Sequence, residues 1–214
     1  PAGGQGMNTG LGDAWNLAWK LALACQETAP RSLLLSYDAE RLPVARAVVR
    51  ETNLLTRLAT LRYPFVRTLR DLMLPWLITT EPTRARLLET FSQIGFGYAR
   101  SPIVVGDGRR APNVRLRERA SGMAGPLYGL LGTKHVLLLW ARPKERIPED
   151  ATVLAGALAR RYGNVLSVYA VESPSPIAPL VLVRPDGYLG FEGGHKDARA
   201  LQDHLARTFF VAER

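Results

Sequence analysis

The chain is poor in the residue types that usually announce a chemistry. Cys25 is the one cysteine among 214 residues, so no internal disulfide can form and no stability comes from crosslinks. A single thiol fits a reducing cytoplasm. Its neighbours Trp19, Leu21, Ala22 and Ala24 predict a small buried hydrophobe rather than a reactive group. Histidine is almost as scarce: His195 and His204 stand nine positions apart, which is not the i, i+4 spacing of a zinc pair, and His135 opens a strand-like run. No metal site is expected, and all three histidines are assigned surface or capping roles. No apolar run approaches the roughly 20 residues that cross a bilayer, so no membrane contact is expected. The longest, Val136 to Ala141, has strand length. No basic-then-apolar leader opens the chain either. It opens on Pro1-Ala2-Gly3-Gly4, without a start methionine, and this reads as a piece of something longer. A G-x-x-x-x-G-K-[ST] loop and a G-x-S-x-G elbow are both missing, which argues against a phosphate-binding loop and against serine-nucleophile catalysis.

Acidic charge is in deficit. Lys+Arg number 28 against 19 Asp+Glu, a net charge of +9. Residues 1–100 hold 12 basic against 8 acidic groups, and residues 101–214 hold 16 against 11, so the excess is spread along the chain. The densest run, Arg109-Arg110 with Arg115, Arg117 and Arg119, has no aromatic residues interleaved for base stacking, and no nucleic-acid partner is expected.

Hydrophobic periodicity divides the chain. From about Gly10 to Gln26, Ala14, Leu17, Ala18, Leu21 and Cys25 recur at helical spacing, and Trp15 and Trp19 widen the arc toward burial on most sides. A second helical stretch covers Arg31 to Arg41, and Pro43 starts or bends the next. That next helix has Ala45, Val48, Val49, Thr52, Leu55 and Ala59 on one face and Arg46, Arg50, Asn53 and Arg57 on the other. Tyr63-Pro64 breaks it, and further helices are predicted near Phe65–Leu77 and Pro82–Phe96. Gly95, Gly97 and Pro102 mark a boundary, giving domains over 1–102 and 103–214. Beyond it, His135–Trp140, Val165–Ala170, Leu180–Val183 and Tyr188–Phe191 read as strands, the last two joined as a hairpin by Pro185-Asp186-Gly187. Asp186 is therefore read as a turn residue, not a catalytic one. Helices are predicted over Glu149–Tyr162 and Lys196–Phe210. The fold class is mixed α/β: a helical region, then a thioredoxin-like α/β sandwich. Arg142-Pro143-Lys144-Glu145 stands where a redox thioredoxin carries Cys-x-x-Cys, and residues 101–214 contain no cysteine, so disulfide exchange is excluded.

The strongest chemical signal is Gly3-Gly4-Gln5-Gly6-Met7-Asn8-Thr9-Gly10-Leu11-Gly12-Asp13-Ala14. Glycines let backbone N–H groups approach a ligand closely, and a helix start adds free donors and partial positive charge. From the residues alone, a ligand loop and a plain helix-capping turn are equally good readings.

Residues 1–25 resemble the second flavin-binding segment of the para-hydroxybenzoate hydroxylase-like flavoprotein monooxygenases. The resemblance rests on Pro1, on Gly3 to Asn8, on Asp13-Ala14 and on Asn16 to Ala22, in that order. Ser36-Tyr37-Asp38-Ala39-Glu40-Arg41-Leu42-Pro43 is similar to the family's Tyr-x-x-Glu-Arg-x-Pro signature, and the thioredoxin-like tail is similar to that of phenol and aromatic polyketide hydroxylases. The resemblance implies FAD and NAD(P)H as cofactors and an aromatic, phenolic or polyketide-like substrate, hydroxylated through a flavin peroxide. It places Gly4, Gly6, Met7 and Asn8 against the flavin and Pro1, as the catalytic candidate, beside its ring. The helical region becomes the remnant of an FAD-binding monooxygenase domain. The GxGxxG segment and the ribityl-binding Gly-Asp segment of that family are absent from these residues, so the piece alone is expected to be inactive. The competing reading is a non-catalytic interaction or oligomerisation module, in which the thioredoxin-like domain packs on the monooxygenase body or joins subunits of a homodimer.

Overall fold

The computed structural model describes residues 6–60, 63–82, 84 and 95–210. Among these, five α-helices and six strands appear. Helix α1 spans Gly6–Cys25, α2 Ser36–Ala59, α3 Pro64–Thr79, α4 Glu149–Tyr162 and α5 Ala198–Thr208. The strands are β1 Arg115–Glu118, β2 Ala124–Pro126, β3 His135–Ala141, β4 Leu166–Glu172, β5 Leu180–Val183 and β6 Leu189–Gly193. Spatial proximity separates residues 1–14 and 40–96 from residues 15–39 and 97–214.

In the second of these units, β3 is the hub. His135-Val-Leu-Leu-Leu-Trp-Ala is buried at every position because both faces of the sheet are covered. Its side chains alternate accordingly. Leu137 and Leu139 join Ala155, Leu158, Tyr162, Leu201, Leu205 and Phe209 from α4, α5 and the residue after it. Val136, Leu138 and Trp140 pack on the other face with Leu116, Leu127, Val181 and Leu189. β3 runs parallel to β4 through α4, and antiparallel to β5, which pairs antiparallel with β6 before α5. The sheet order is β2-β1-β4-β3-β5-β6. The block β3–α4–β4–β5–β6–α5 is a thioredoxin-like core, and β1 and β2 extend it. Those two strands have weak sequence signals: β1 is Arg-Leu-Arg-Glu with one buried residue, and β2 is Ala-Gly-Pro.

The C-terminal part of α1 and the short 3-10 turn Arg31–Leu35 belong to the same unit. Trp19, Leu23, Ala29 and Leu33 enter the core on the α4/α5 face. The first helix departs from its expected face. Asn16, Trp19, Lys20 and Leu23 are buried, whereas Leu21 is 42% exposed and Trp15 is also exposed. The buried spacing is still i, i+3, i+4, i+7, but two of the four residues are polar. An apolarity count therefore selects the wrong arc. Cys25 is likewise exposed, on the far side of the helix from the buried stripe, not a core hydrophobe.

In the other unit, Pro43 lies inside the continuous helix α2 rather than opening a new one, and Pro75 lies inside α3. A proline there removes one ladder hydrogen bond without ending the helix when flanking turns hold. On α2, Val44 is buried and Val49 exposed, so that helix is rotated from the face expected for it. The predicted helix Pro82–Phe96 falls mostly on residues 83 and 85–94, outside the described residues.

Candidate functional site

Among the described residues helix α1 runs from Gly6, four residues before the start near Gly10 expected from the sequence. Gly6, Met7 and Asn8 are exposed, Met7 at 73%. A Cβ built on Gly6 meets no atom within 4 Å. A helix start leaves its first N–H groups without intrahelical partners and concentrates about half a positive charge there. The described first turn of α1 is exposed and, as a helix start, would be rich in free backbone donors. Pro1 and Gly4 lie outside the described residues.

The next turn of α1 is braced by α2. The Arg41 guanidinium donates through Nε to Asp13 Oδ1 at 2.6 Å and through Nη2 to Thr9 O at 3.3 Å. It lies directly over Gly12, where an added Cβ would sit 3.0 Å from Arg41 Nη2. A side chain at Gly12 would press on the guanidinium, which would have to shift by a few tenths of an ångström. Charge-assisted bonds of this kind are worth about 1.5–3 kcal/mol each. Sequence reading named the Glu40-Arg41 signature without identifying this role.

One helical turn further on, α1 meets a buried ionic group. Arg184, at the end of β5, donates through Nε to Asp186 Oδ1 at 3.0 Å and through Nη2 to Asp186 Oδ2 at 2.5 Å. Their side chains are 1% and 3% exposed. Asp186 Oδ2 also accepts from Trp19 Nε1 at 3.1 Å and from Asn16 Nδ2 at 3.3 Å, and Asn16 Oδ1 accepts from Lys20 Nζ at 2.9 Å. The Arg184 guanidinium sits 5.1 Å from the ring centres of both Trp19 and Tyr98. Asp186 lies in the predicted turn, and its carboxylate also accepts from three side chains, Arg184, Trp19 and Asn16. The signal for this was present: Asn16 and Lys20 stand at i, i+4 on the same face as Trp19.

His135 and His204 are buried, not surface residues. His135 packs edge-on against Trp19 and Phe209, with ring centres 5.0 and 4.7 Å away. Burial, with Arg184 and His204 adding to it, holds its pKa well below the usual histidine value. Burial, reinforced by Arg207 and Arg184, lowers the pKa of His204 to about 4. Both are neutral core residues at neutral pH. Among the described residues, no group of three His, Cys, Asp or Glu side chains gathers to hold a metal, and no helix is long and apolar enough to cross a membrane. At the thioredoxin-type redox position, Arg142–Glu145 forms a turn, with Glu145 N–H donating to Arg142 O at 3.1 Å. Arg142 N–H in turn donates to Glu145 Oε2 at 2.8 Å.

Residues 1–52 match the FAD binding domain, and residues 106–211 match the C-terminal domain of aromatic-ring hydroxylases. The 6-methylpretetramide 4-monooxygenase of Streptomyces rimosus is 30% identical, over 100% of this chain and 43% of its own length. Rifampicin monooxygenase of Streptomyces venezuelae is 33% identical, over 99% of this chain and 40% of its own. Among solved structures, anhydrotetracycline hydroxylase from Streptomyces rimosus superposes with a TM-score of 0.78 at 31% identity, covering 98% of this chain and 42% of that one. The chain spans about two fifths of the length of these relatives. With two successive domain matches, and with monooxygenases aligned along essentially all of its residues, the chain belongs to the flavin-dependent aromatic monooxygenase family.

Proposed function

We propose that the protein carrying this chain hydroxylates a phenolic or polyketide-like aromatic substrate, with FAD as resident cofactor and NAD(P)H as reductant. The observation that carries the reading is the glycine-rich segment, inside the FAD binding domain match, that leads into the open first turn of α1. The described residues fit the cofactor. No described atom lies within 4 Å of a Cβ built on Gly6, which leaves room for a ligand edge, and the helix start there would offer backbone donors. Gly4, Gly6, Met7 and Asn8 would hold the edge of the isoalloxazine ring, with Pro1 beside it as the catalytic candidate. When bound, FAD supplies the redox and oxygen-activating chemistry. The chain's own part is to orient the ring and to favour negative charge at its edge through the helix start, a preorganised field that needs no rearrangement.

The two-domain division over 1–102 and 103–214 is part of this proposal. It is supported by a hydroxylase C-terminal match that begins at residue 106 and by strands that, among the described residues, all lie beyond residue 114. The match to the FAD binding domain covers 52 residues, so these 214 residues alone are proposed to be inactive. A second reading, an oligomerisation module joining a homodimer, is favoured by the apolar side chains that α3 leaves exposed, Phe65, Leu72 and Trp76. A reducing cytoplasm is the proposed compartment, since Cys25 is a free thiol.

The test is purification of the full gene product, with its visible spectrum, NAD(P)H consumption and product mass recorded in the presence of phenolic substrates. Flavin bands and a product that has gained one oxygen atom are expected. A colourless protein that sediments as a stable dimer would transfer the argument to the second reading.

A further inference from the structure

Arginines on the surface of the sheet-bearing unit are not alike. Arg109 is committed: its Nη1 lies 2.6 Å from Asp107 Oδ2 and its Nη2 2.9 Å from Glu192 Oε2. Arg119 is committed too, to the carbonyls of Arg142 and Glu145 and to Glu172. Arg115 and Arg117 are exposed and have neither an acidic nor an aromatic partner among the described residues. Arg110 belongs to neither class. Its Nε donates to Tyr128 Oη at 3.0 Å, and that hydroxyl in turn donates to Ala111 O at 2.7 Å. Its guanidinium carbon lies 5.7 Å from the ring centre of Tyr128 and 6.0 Å from that of Tyr188. Tyr188 is itself buried against Tyr98, with ring centres 4.3 Å apart. The backbone on either side is fixed as well: Ala111 N–H donates to Gly187 O and Leu189 N–H to Arg109 O, both at 2.9 Å.

An exposed arginine ordinarily keeps its rotamer freedom in water, because a solvated ion pair repays little for holding a long side chain still. Arg110 is ordered without an ion pair. Among the described residues no carboxylate is paired with it, and Asp186, whose charge acts on it, is already bound to Arg184. A guanidinium carries its donors on three nitrogens. With Nε spent on Tyr128, those on Nη1 and Nη2 remain, and they form the fork that matches two oxygens of a carboxylate or phosphoryl group. We propose that Arg110, seated on Tyr128 and Tyr188, is the binding arm of a subsite for the oxyanion group of a small molecule, a carboxylate or a phosphoryl group. Tyr128 is its positioning residue. The subsite uses residues of the sheet-bearing unit alone and goes beyond the hydroxylase reading, so it stands or falls independently of what meets the first turn of α1.

The experiment is arginine modification of the full gene product by phenylglyoxal, mapped by peptide mass spectrometry with and without added anion. Each arginine then reports its own occupancy, so anions bound elsewhere in the protein do not interfere. The probes are inorganic phosphate, acetate and benzoate, each set against chloride at equal ionic strength to remove plain screening. Arg110 is expected to be half-protected on the order of 1 mM, the affinity that two charge-assisted hydrogen bonds supply, and about tenfold more tightly than Arg115 and Arg117. Tyr128→Phe keeps the ring and removes the hydroxyl. It is expected to raise the half-protecting concentration at Arg110 about fivefold, the equivalent of one hydrogen bond, and to leave Arg115 and Arg117 as they were. Protection by phosphate and not by the carboxylates would name a phosphoryl ligand, the reverse pattern a carboxylate, and either upholds the subsite. Equal protection of Arg110, Arg115 and Arg117, no protection at any of them, or wild-type protection in Tyr128→Phe would overturn it. So would an Arg110 that phenylglyoxal never reaches, because the rest of the protein would then cover the fork.

Discussion

Replacing Asp186 with Ala strands the Arg184 guanidinium in a site where its side chain is 1% exposed. The same substitution takes the acceptor from Trp19 Nε1 and Asn16 Nδ2, both buried. Breaking a buried pair by removing one ion costs about 3–5 kcal/mol, and the loss of the acceptor for Trp19 Nε1 adds to it. That is a large share of the roughly 5–15 kcal/mol that holds a typical domain together. Removing the other ion as well relieves the main penalty, because no unpaired charge remains. The double variant Arg184→Met with Asp186→Ala should therefore cost less than the sum of the singles, by about 2–3 kcal/mol. Urea unfolding of the four proteins, followed by circular dichroism and tryptophan fluorescence, measures the cycle. Single-variant losses below about 1 kcal/mol, or additivity within about 0.5 kcal/mol, would refute the claim that the pair and its α1 donors act as one buried unit.

Three further outcomes follow from the geometry. Leu23→Ala should cost about 2–5 kcal/mol in chemical denaturation, Lys20→Ala should also be clearly destabilising because Lys20 is fully buried, and Leu21→Ala should stay below about 1 kcal/mol. Arg41→Gln removes the ion pair to Asp13 and should cost about 1.5–3 kcal/mol by the same assay, while Gly12→Ala becomes better tolerated in its presence. His204 has a folded-state pKa near 4, below its unfolded value near 6.5, so the unfolded chain takes up the proton first as pH falls. Its contribution is intact above about pH 6.5 and is lost progressively toward pH 4, at most about 3 kcal/mol. Unfolding curves of the wild type and His204→Leu across that window should differ in slope, and parallel curves would remove His204 from the account.

The thioredoxin-like part was legible because its elements obey single-period rules. β3 and β5 are unbroken apolar runs of strand length, the α4 bounds coincide with the expected Glu149–Tyr162, and Pro-Asp-Gly specifies the hairpin. β1 and β2 escaped because neither has alternation long enough to register; they are strands through pairing with β4 and with each other. The face of α1 was misread for a physical reason. Apolar periodicity finds helices that pack on apolar partners, and this helix packs partly on a buried carboxylate, so Asn16 and Lys20 are turned inward and Leu21 outward. Likewise His135 and His204 carry no sequence mark of burial; tertiary packing against Trp19, Phe209 and Phe191 decides it. The reading of the glycine-rich segment as a ligand loop rests on its resemblance to a flavin segment, since its residues alone fit a helix-capping turn equally well. The geometry adds that nothing in the described protein stands where a side chain at Gly6 would project.

That last feature makes Gly6→Val the most direct test of the flavin reading. Since no described atom lies within 4 Å of the added Cβ, the substitution should disturb the described fold little, and matched unfolding midpoints isolate its effect on binding. The measurement is FAD titration of the full gene product and its Gly6→Val variant, at matched unfolding midpoints. A loss of about 1–3 kcal/mol in binding, roughly five- to 150-fold in Kd, is predicted from losing one or two hydrogen bonds to the ring edge. Equal FAD affinity in the two proteins would make the first turn of α1 an ordinary helix start and contradict the assignment of the cofactor edge.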